Sequence, residues 1–180
     1  LSSKNVCRLG TSLPKTNSPK LIFLMNSNHF KKICGSYTTG IAVLTTTYVR
    51  ENYGITINSF SSVSINPPLV LFCIDKKTHF NTPLNKEKTL AINILSESQK
   101  EISKRFANSA LTNQERFKGL DIIPEYEHPV FADTLGVLFA KLKATHDGGD
   151  HWIYVAEVSS GQLFNGSPLL YYGGSYSNLN

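Results

Sequence analysis

The turn Asp147-Gly148-Gly149-Asp150 joins two long strand-like runs, "GVLFAKLKATH" (Gly136 to His146) and "HWIYVAEVSSGQL" (His151 to Leu163), and it limits the fold more than any other stretch. Near its end the first run alternates inward and outward residues, the period of a half-buried strand. The second run therefore returns antiparallel across a tip where glycine reaches positive φ without steric cost.

Other stretches have the same character. "GIAVLTTTYV" (Gly40 to Val49) is β-branched and apolar, and "RENYGITINSF" follows it through an Arg50-Glu51-Asn52 turn, which predicts a second hairpin. "PLVLFCI" (Pro68 to Ile74) and "TLAINIL" (Thr89 to Leu95) read as strands around a polar stretch, Asp75 to Lys88, that holds one short helix. "SESQKEISKRFA" opens with Ser96 and carries Gln99 three residues later, the spacing of a capping box, with Ile102 and Phe106 on one helix face. "RFKGLDIIPEYEHPVF" reads as irregular, and "SPLLYYGG" as a last strand before "GGSYSNLN", either a short ordered arm or a frayed end. Six or seven strands, one or two helices, no βαβ rhythm and no GxGxxG predict a mainly β fold with a few helices, an antiparallel barrel.

The bulk of the chain narrows the class. At 180 residues it is long enough to bury one core, and 41% hydrophobic against 17% charged residues predicts a packed domain. The formal charge of +5 is scattered, with nothing beyond pairs such as Lys31-Lys32 and Lys76-Lys77, so no nucleic-acid stripe is predicted and a small anionic ligand suits the balance better. Cys7, Cys34 and Cys73 have neither disulfide-framework nor zinc-knuckle spacing, and no apolar run is long enough to span a bilayer. A reducing, cytoplasmic setting is expected. Leu1 to Ser27, rich in Ser, Lys, Asn and Pro, reads as a loosely ordered extension, and residues 28–180 as one domain. Met25 is the single methionine, which leaves both a natural start there and a genuine tail open.

The segment "GITINSFSSVSINPPLVLFCID" sets hydroxyls and an amide (Thr56, Asn58, Ser59, Ser61, Ser62, Ser64) beside strand residues expected to be buried. Such groups need partners: either local backbone, or a ligand with matching polar edges. Together with "TTGIAVLTT", "LAINILSESQKEISKRFA", "RF", "GGDHWIYVAEV" and "PLLYYGGSY", in that order from about Phe30 to Leu179, the segment resembles the flavin reductase-like domain with an FMN-binding split barrel. In particular the chain is similar to the NAD(P)H:flavin reductase components of two-component monooxygenases.

The resemblance implies a split β-barrel and a set of binding residues. Thr56, Asn58, Ser59, Phe60, Ser61 and Ser62 would lie along the flavin ring and ribityl chain. Asp75, Lys76, Lys77 and Thr78 would serve the ribityl and phosphate, where charge-assisted bonds are wanted, although a lysine pair on a turn is commonly just solvated. Phe106, Ala107, Arg116 and Phe117 match positions near the ring or its tail, with plain helix packing as the alternative for Phe106. Gly149, Asp150 and His151 match a "GDH" motif that places the histidine by the nicotinamide nucleotide, so His151 is the lead residue for the reductant. Its alternatives are a histidine satisfied by a backbone carbonyl and a metal site with His146, Asp147 and Asp150. Tyr176 would be an aromatic wall; Gly173 stands where many relatives have arginine, and "IIPEYEHPVF" is more polar than the resemblance leads one to expect.

The implied activity is hydride transfer from NADH or NADPH to FMN or FAD, with the reduced flavin passed to a separate monooxygenase, and a homodimer is expected. The rival is a flavin-holding electron carrier that never meets a nicotinamide nucleotide.

Overall fold

The computed structural model describes residues 25–179. Residues 1–24, which hold nearly all of the expected extension, lie outside that range. In chain order the elements are α1 (Ser27–Gly35), β1 (Thr39–Gly40), β2 (Ala42–Tyr48), β3 (Glu51–Ile57), β4 (Ser61–Ile65), β5 (Pro68–Asp75), α2 (Asn81–Glu87), β6 (Thr89–Ile94) and a 3-10 turn at Glu97–Gln99. They continue with α3 (Lys100–Ala107), α4 (Asn113–Phe117), β7 (Ile122–Ile123), β8 (Val130–Phe131), β9 (Gly136–Gly148), β10 (His151–Leu163), β11 (Leu170–Tyr172) and β12 (Ser175–Ser177).

The fold is mainly β and antiparallel. Seven strands form one sheet in the order β3-β2-β6-β9-β10-β5-β4, with smaller sheets β1-β11-β12 and β7-β8. The long hairpin is its spine: His151 pairs with Gly148 and Leu163 with Gly136. Gly149, at φ 82°, takes the first of two turn positions, the conformation a two-residue hairpin with glycine first requires. The β2–β3 hairpin is tighter than its polar residues suggested. Val49 and Arg50 both turn left-handed (φ 50° and 62°), so Glu51 and Asn52 are already in the ladder opposite Tyr48 and Thr47.

Two apolar layers account for the strand pattern. Ala42 and Leu44 face one cluster with Ile57, Phe72, Ile74, Leu90, Ile92 and Tyr154, closed by Phe80 and Leu84 around α2. Val43, on the opposite face of β2, joins Ile41, Leu95, Phe106, Phe131 and Leu169. Full burial of a Val, Leu, Ile or Phe side chain contributes about 1.5–3 kcal/mol, so Leu44 and Val43 hold β2 from both sides. Polar groups fix the segment before β8. The fully buried Asn93 donates to the carbonyls of Val43 (3.2 Å) and Pro129 (3.3 Å) and accepts the Phe131 N–H at 3.1 Å.

The capping box is present but opens the 3-10 turn, Ser96 N–H donating to Gln99 Oε1 at 3.1 Å, so α3 itself starts only at Lys100; Phe106 is buried, with the partly buried Ile102, against the same cluster. Helix α4 and the short β7–β8 pair occupy part of the stretch expected to be irregular. The helix had a signal in Thr112 and Glu115, which form a capping box with Thr112 N–H donating to Glu115 Oε2 at 2.8 Å. The C-terminal arm is ordered, since β12 folds back on β11 with Tyr171 opposite Tyr176.

Candidate functional site

Strand β3 is the floor of the site. Residue Gly54 has no side chain, which lets α3 press the Phe106 ring directly onto the strand, and the exit of β5 lies alongside. Between them is a cleft of about 330 Å³ lined by Tyr53, Gly54, Ile55, Asp75, Lys77, Thr78, His79, Phe106, Ala107 and Arg116 among others. Ala107 also lines a second cleft of about 180 Å³, with Thr56, Asn58, Ser103, Tyr171 and Tyr176. Asn58 in turn lines a third, of about 270 Å³, with Thr39, Ile41 and Phe60. The shared residues make the three contiguous along β3. A larger open groove of about 780 Å³ lies between the β2–β3 turn and α4, but of the binding residues that the resemblance implies it holds only Phe117.

The clefts combine apolar wall with polar edge, as a fused heteroaromatic ring with a phosphate tail demands. Phe106 packs edge-on to Phe117 with centroids 4.9 Å apart, so the helix-packing expectation for Phe106 holds, and its ring also borders the first cleft. Phe117 itself belongs to the packing. Arg116 is half-buried, and that burial pulls its pKa below the ordinary arginine value. Its Nη1 donates to the Gly54 carbonyl at 3.0 Å and its Nη2 to that of Asn108 at 2.8 Å, which leaves positive charge at the cleft rather than a free fork. At the mouth, the Tyr53 hydroxyl donates to Glu51 Oε2 at 2.6 Å. That bond and one from Asn113 hold the Glu51 pKa down, and the carboxylate raises that of Tyr53.

Two buried side-chain polar atoms among the described residues have no hydrogen-bond partner, Thr39 Oγ1 and Arg116 Nε. Both residues line this run of clefts, one in the third and one in the first. Orphaned polar atoms in a native interior are uncommon, and a polar ligand that reached them would satisfy both.

The hydroxyl-rich segment divides. Thr56 Oγ1 donates to the Ser103 carbonyl at 2.7 Å while still bordering the second cleft. Ser59 is committed to the fold, its hydroxyl donating to the Cys73 carbonyl and accepting the Cys73 N–H, each at 2.9 Å. Ser61 and Ser62 are exposed on β4 and line none of the three clefts. Lys76 points away from Lys77 and pairs with Asp147. Gly149, Asp150 and His151 form the hairpin tip beside the β5 exit, with His151 opposite Asp75 in register. The His151 Nδ1 lies 2.7 Å from Asp150 Oδ1, a contact that lowers the Asp150 pKa. Among the described residues no three His, Cys, Asp or Glu side chains gather as a metal site.

Sequence reasoning missed Ser103, fully buried with its hydroxyl 3.0 Å from that of Tyr176. Its spacing of four from Ala107 on α3 was the available signal. Tyr53 and His79 had no pattern to mark them.

The family model described as a flavin reductase like domain matches residues 34–180. The chain belongs to that family. This flavin reductase-like domain is 37% identical over 152 residues to the FMN reductase (NADH) SmoA of Agrobacterium fabrum, covering 84% of this chain and 85% of that protein. It is 32% identical over 154 residues to HsaB, the reductase subunit of a flavin-dependent monooxygenase of Mycobacterium tuberculosis, covering 83% and 81%. Among solved structures it resembles the Streptomyces globisporus NADH:FAD oxidoreductase SgcE6 in complex with NAD and FAD fragments, with TM-score 0.82, 27% identity and coverage of 89% and 97%. The flavin reductase PheA2 in its native state superposes with TM-score 0.79 at 30% identity, covering 87% of this chain and 99% of that one.

Proposed function

We propose that this flavin reductase-like chain catalyses the NAD(P)H-dependent reduction of free or loosely bound flavin, FMN or FAD, and supplies the reduced flavin to a partner monooxygenase. The observation that carries the reading is the run of clefts along β3, walled by Phe106, Asn58, Phe60 and Tyr176, with the orphaned polar atoms of Thr39 and Arg116 in its walls. Lys77 and Thr78 hold the phosphate end through their side chains, since the turn uses their backbone N–H groups on Asp75 (Lys77 N–H to Oδ1 at 2.8 Å, Thr78 N–H to the carbonyl at 3.0 Å). Asn58, Thr56 and Tyr176 meet the polar edge of the ring. Ser61 and Ser62, on the exposed edge strand, contact flavin only from the outer side of the site.

When bound, the two cofactors supply the chemistry themselves, a hydride passing from the dihydronicotinamide ring to the flavin. The protein needs no nucleophile. Its task is to hold the rings at about 3–3.5 Å between reacting atoms and exclude water. The tip Gly149-Asp150-His151 is the nicotinamide side of the site: Asp150 fixes the His151 ring through the 2.7 Å contact and leaves Nε2 to face the nucleotide.

Three finer readings accompany this one. The seven-stranded sheet closes toward a split barrel, which the Ser59 link from the end of β3 to β5 supports. Two chains form a homodimer, for which α1 offers an unburied apolar face with Phe30 56% and Ile33 50% exposed. Residues 28–180 act as one domain in the cytoplasm, where a reducing setting suits the free Cys34 and Cys73. None of the helices among the described residues is long and apolar enough to cross a membrane.

The test is steady-state NADH oxidation with added FMN or FAD, in the unmodified protein and in His151→Ala. The substitution is expected to weaken NADH use about tenfold or more while flavin affinity changes little, the pattern of a contact made to one substrate. Equal loss on both sides rejects the role of His151. Flavin uptake with no NADH oxidation rejects the reductase and favours a flavin-holding module.

A further inference from the structure

The two lysines that stand side by side in the sequence part company in the fold. Lys77 lines the first cleft, whereas Lys76 reaches the hairpin tip and grips both of its limbs. On the β9 limb its Nζ donates to Asp147 Oδ2 at 2.5 Å; on the β10 side its backbone N–H donates to the Asp150 carbonyl at 3.0 Å. The same ammonium sits 4.5 Å from the centroid of the Trp152 ring. Asp147 also accepts the Gly149 N–H through Oδ1 at 3.0 Å, so one carboxylate joins the lysine to the backbone of the tip. From the core side, Asn81 donates to the Asp75 carbonyl at 2.8 Å and accepts from the fully buried Tyr154 hydroxyl at 3.0 Å. A continuous chain of bonds therefore runs from the core through the β5–α2 loop to the tip.

We propose that Lys76, paired with Asp147, is a positioning residue that holds the hairpin tip against the β5–α2 loop and thereby sets affinity for the nicotinamide nucleotide rather than for flavin. This rests on the reductase reading above. An exposed ion pair contributes little by itself, and the Asp147 side chain is 67% exposed. Here the ammonium meets a carboxylate and an aromatic face at once, and the lysine backbone adds a third tie to the tip. Loss of the ammonium acts in one direction. The tip loses its side-chain ties to Asp147 and Trp152 and loosens, keeping the Lys76 N–H bond to the Asp150 carbonyl, while the turn that presents Lys77 and Thr78 stays closed by Asp75, which accepts the Lys77 N–H through Oδ1 and the Thr78 N–H through its carbonyl at 3.0 Å.

Trp152 is the single tryptophan, so its fluorescence reports the clamp without any ligand. Lys76→Ala and Asp147→Asn are expected to raise acrylamide quenching of Trp152 at least about 1.5-fold through local opening, and Lys77→Ala to leave it unchanged. In NADH oxidation with FMN, both variants are expected to raise the NADH KM about five- to tenfold, with kcat and the flavin Kd within about twofold. The double variant is expected to be no worse than either single one, because the two residues act as a unit, and Lys76→Arg to restore most of the loss. Flavin Kd weakened as much as the NADH KM, or additive losses, overturns the proposal. Unchanged Trp152 quenching in Lys76→Ala with normal turnover rejects the clamp alone. Absence of NADH oxidation by the unmodified protein rejects the reductase reading instead.

Discussion

Placing a methyl group on Gly54 strikes the point where core and site meet. A Cβ there would lie 2.5 Å from Phe106 Cε1 and 2.6 Å from Cδ1, well inside contact distance. The ring cannot simply swing aside. Phe106 is 1% exposed, with Phe117 and Phe131 centroids 4.9 and 5.3 Å away. Overpacking of this kind costs about 1–3 kcal/mol. The residue has ordinary extended backbone, so alanine also narrows the unfolded ensemble and returns about 0.4–1 kcal/mol. The net expectation for Gly54→Ala is a loss of about 1–2 kcal/mol, read as a lower urea midpoint at unchanged m-value. Because the Gly54 carbonyl anchors Arg116 at 3.0 Å, any strand shift also moves that guanidinium, and flavin affinity is expected to fall with stability. Adding Phe106→Leu trims the clashing ring, so the double variant is expected to lose less than the sum of the singles. A Gly54→Ala midpoint equal to that of the unmodified protein, or strictly additive losses, refutes this reasoning.

His128 is buried, its Nδ1 accepting the Thr47 N–H at 3.2 Å, so the neutral ring carries its proton on Nε2 and donates to Thr89 Oγ1 at 2.9 Å. Burial, opposed by Glu127 and Glu87, holds its pKa below the ordinary value. The stability it contributes is full above the unfolded pKa of about 6.5 and is lost as pH falls below that, at up to about 1.4 kcal/mol per pH unit. Urea unfolding between about pH 7 and 5 is expected to show this slope, and His128→Asn to flatten it; an equal slope in the variant contradicts the assignment. Asn93→Ala strands the buried Phe131 N–H and is expected to cost about 2–3 kcal/mol in the same assay, whereas a loss below about 1 kcal/mol shows that Asn93 does not pin β8.

The long hairpin and the 3-10 turn that leads into α3 were legible in the sequence because each rests on local chemistry: strand alternation around glycines, and Ser96 with Gln99 at capping spacing. Part of the candidate site was reached through the family resemblance and not through local chemistry: it marked Asn58, Lys77, Thr78, Ala107 and Tyr176, which border one run of clefts. What could not be read depends on directions that a pattern does not encode. A hydroxyl on Ser59 that caps Cys73 and one on Thr56 that also borders a cleft look alike in one dimension. Lys76 and Lys77 diverge because they leave the end of β5 through a turn set by Asp75, Asn81 and the distant Asp150. The β2–β3 turn was displaced because Val49, a β-branched residue, takes a left-handed conformation that its type disfavours. Helix α4 and strands β7 and β8 are too short for periodicity to reveal.

Amide shift mapping by NMR, with oxidised FMN added first and NAD⁺ second so that no turnover occurs, examines both halves of the site at once. The expected result is that FMN moves the amides of Asn58, Lys77, Thr78, Ala107 and Tyr176, and that NAD⁺ then moves Gly149, Asp150 and His151. FMN shifts confined to other surfaces, or no shifts at micromolar flavin, would contradict the assignment of the β3 clefts as the flavin site.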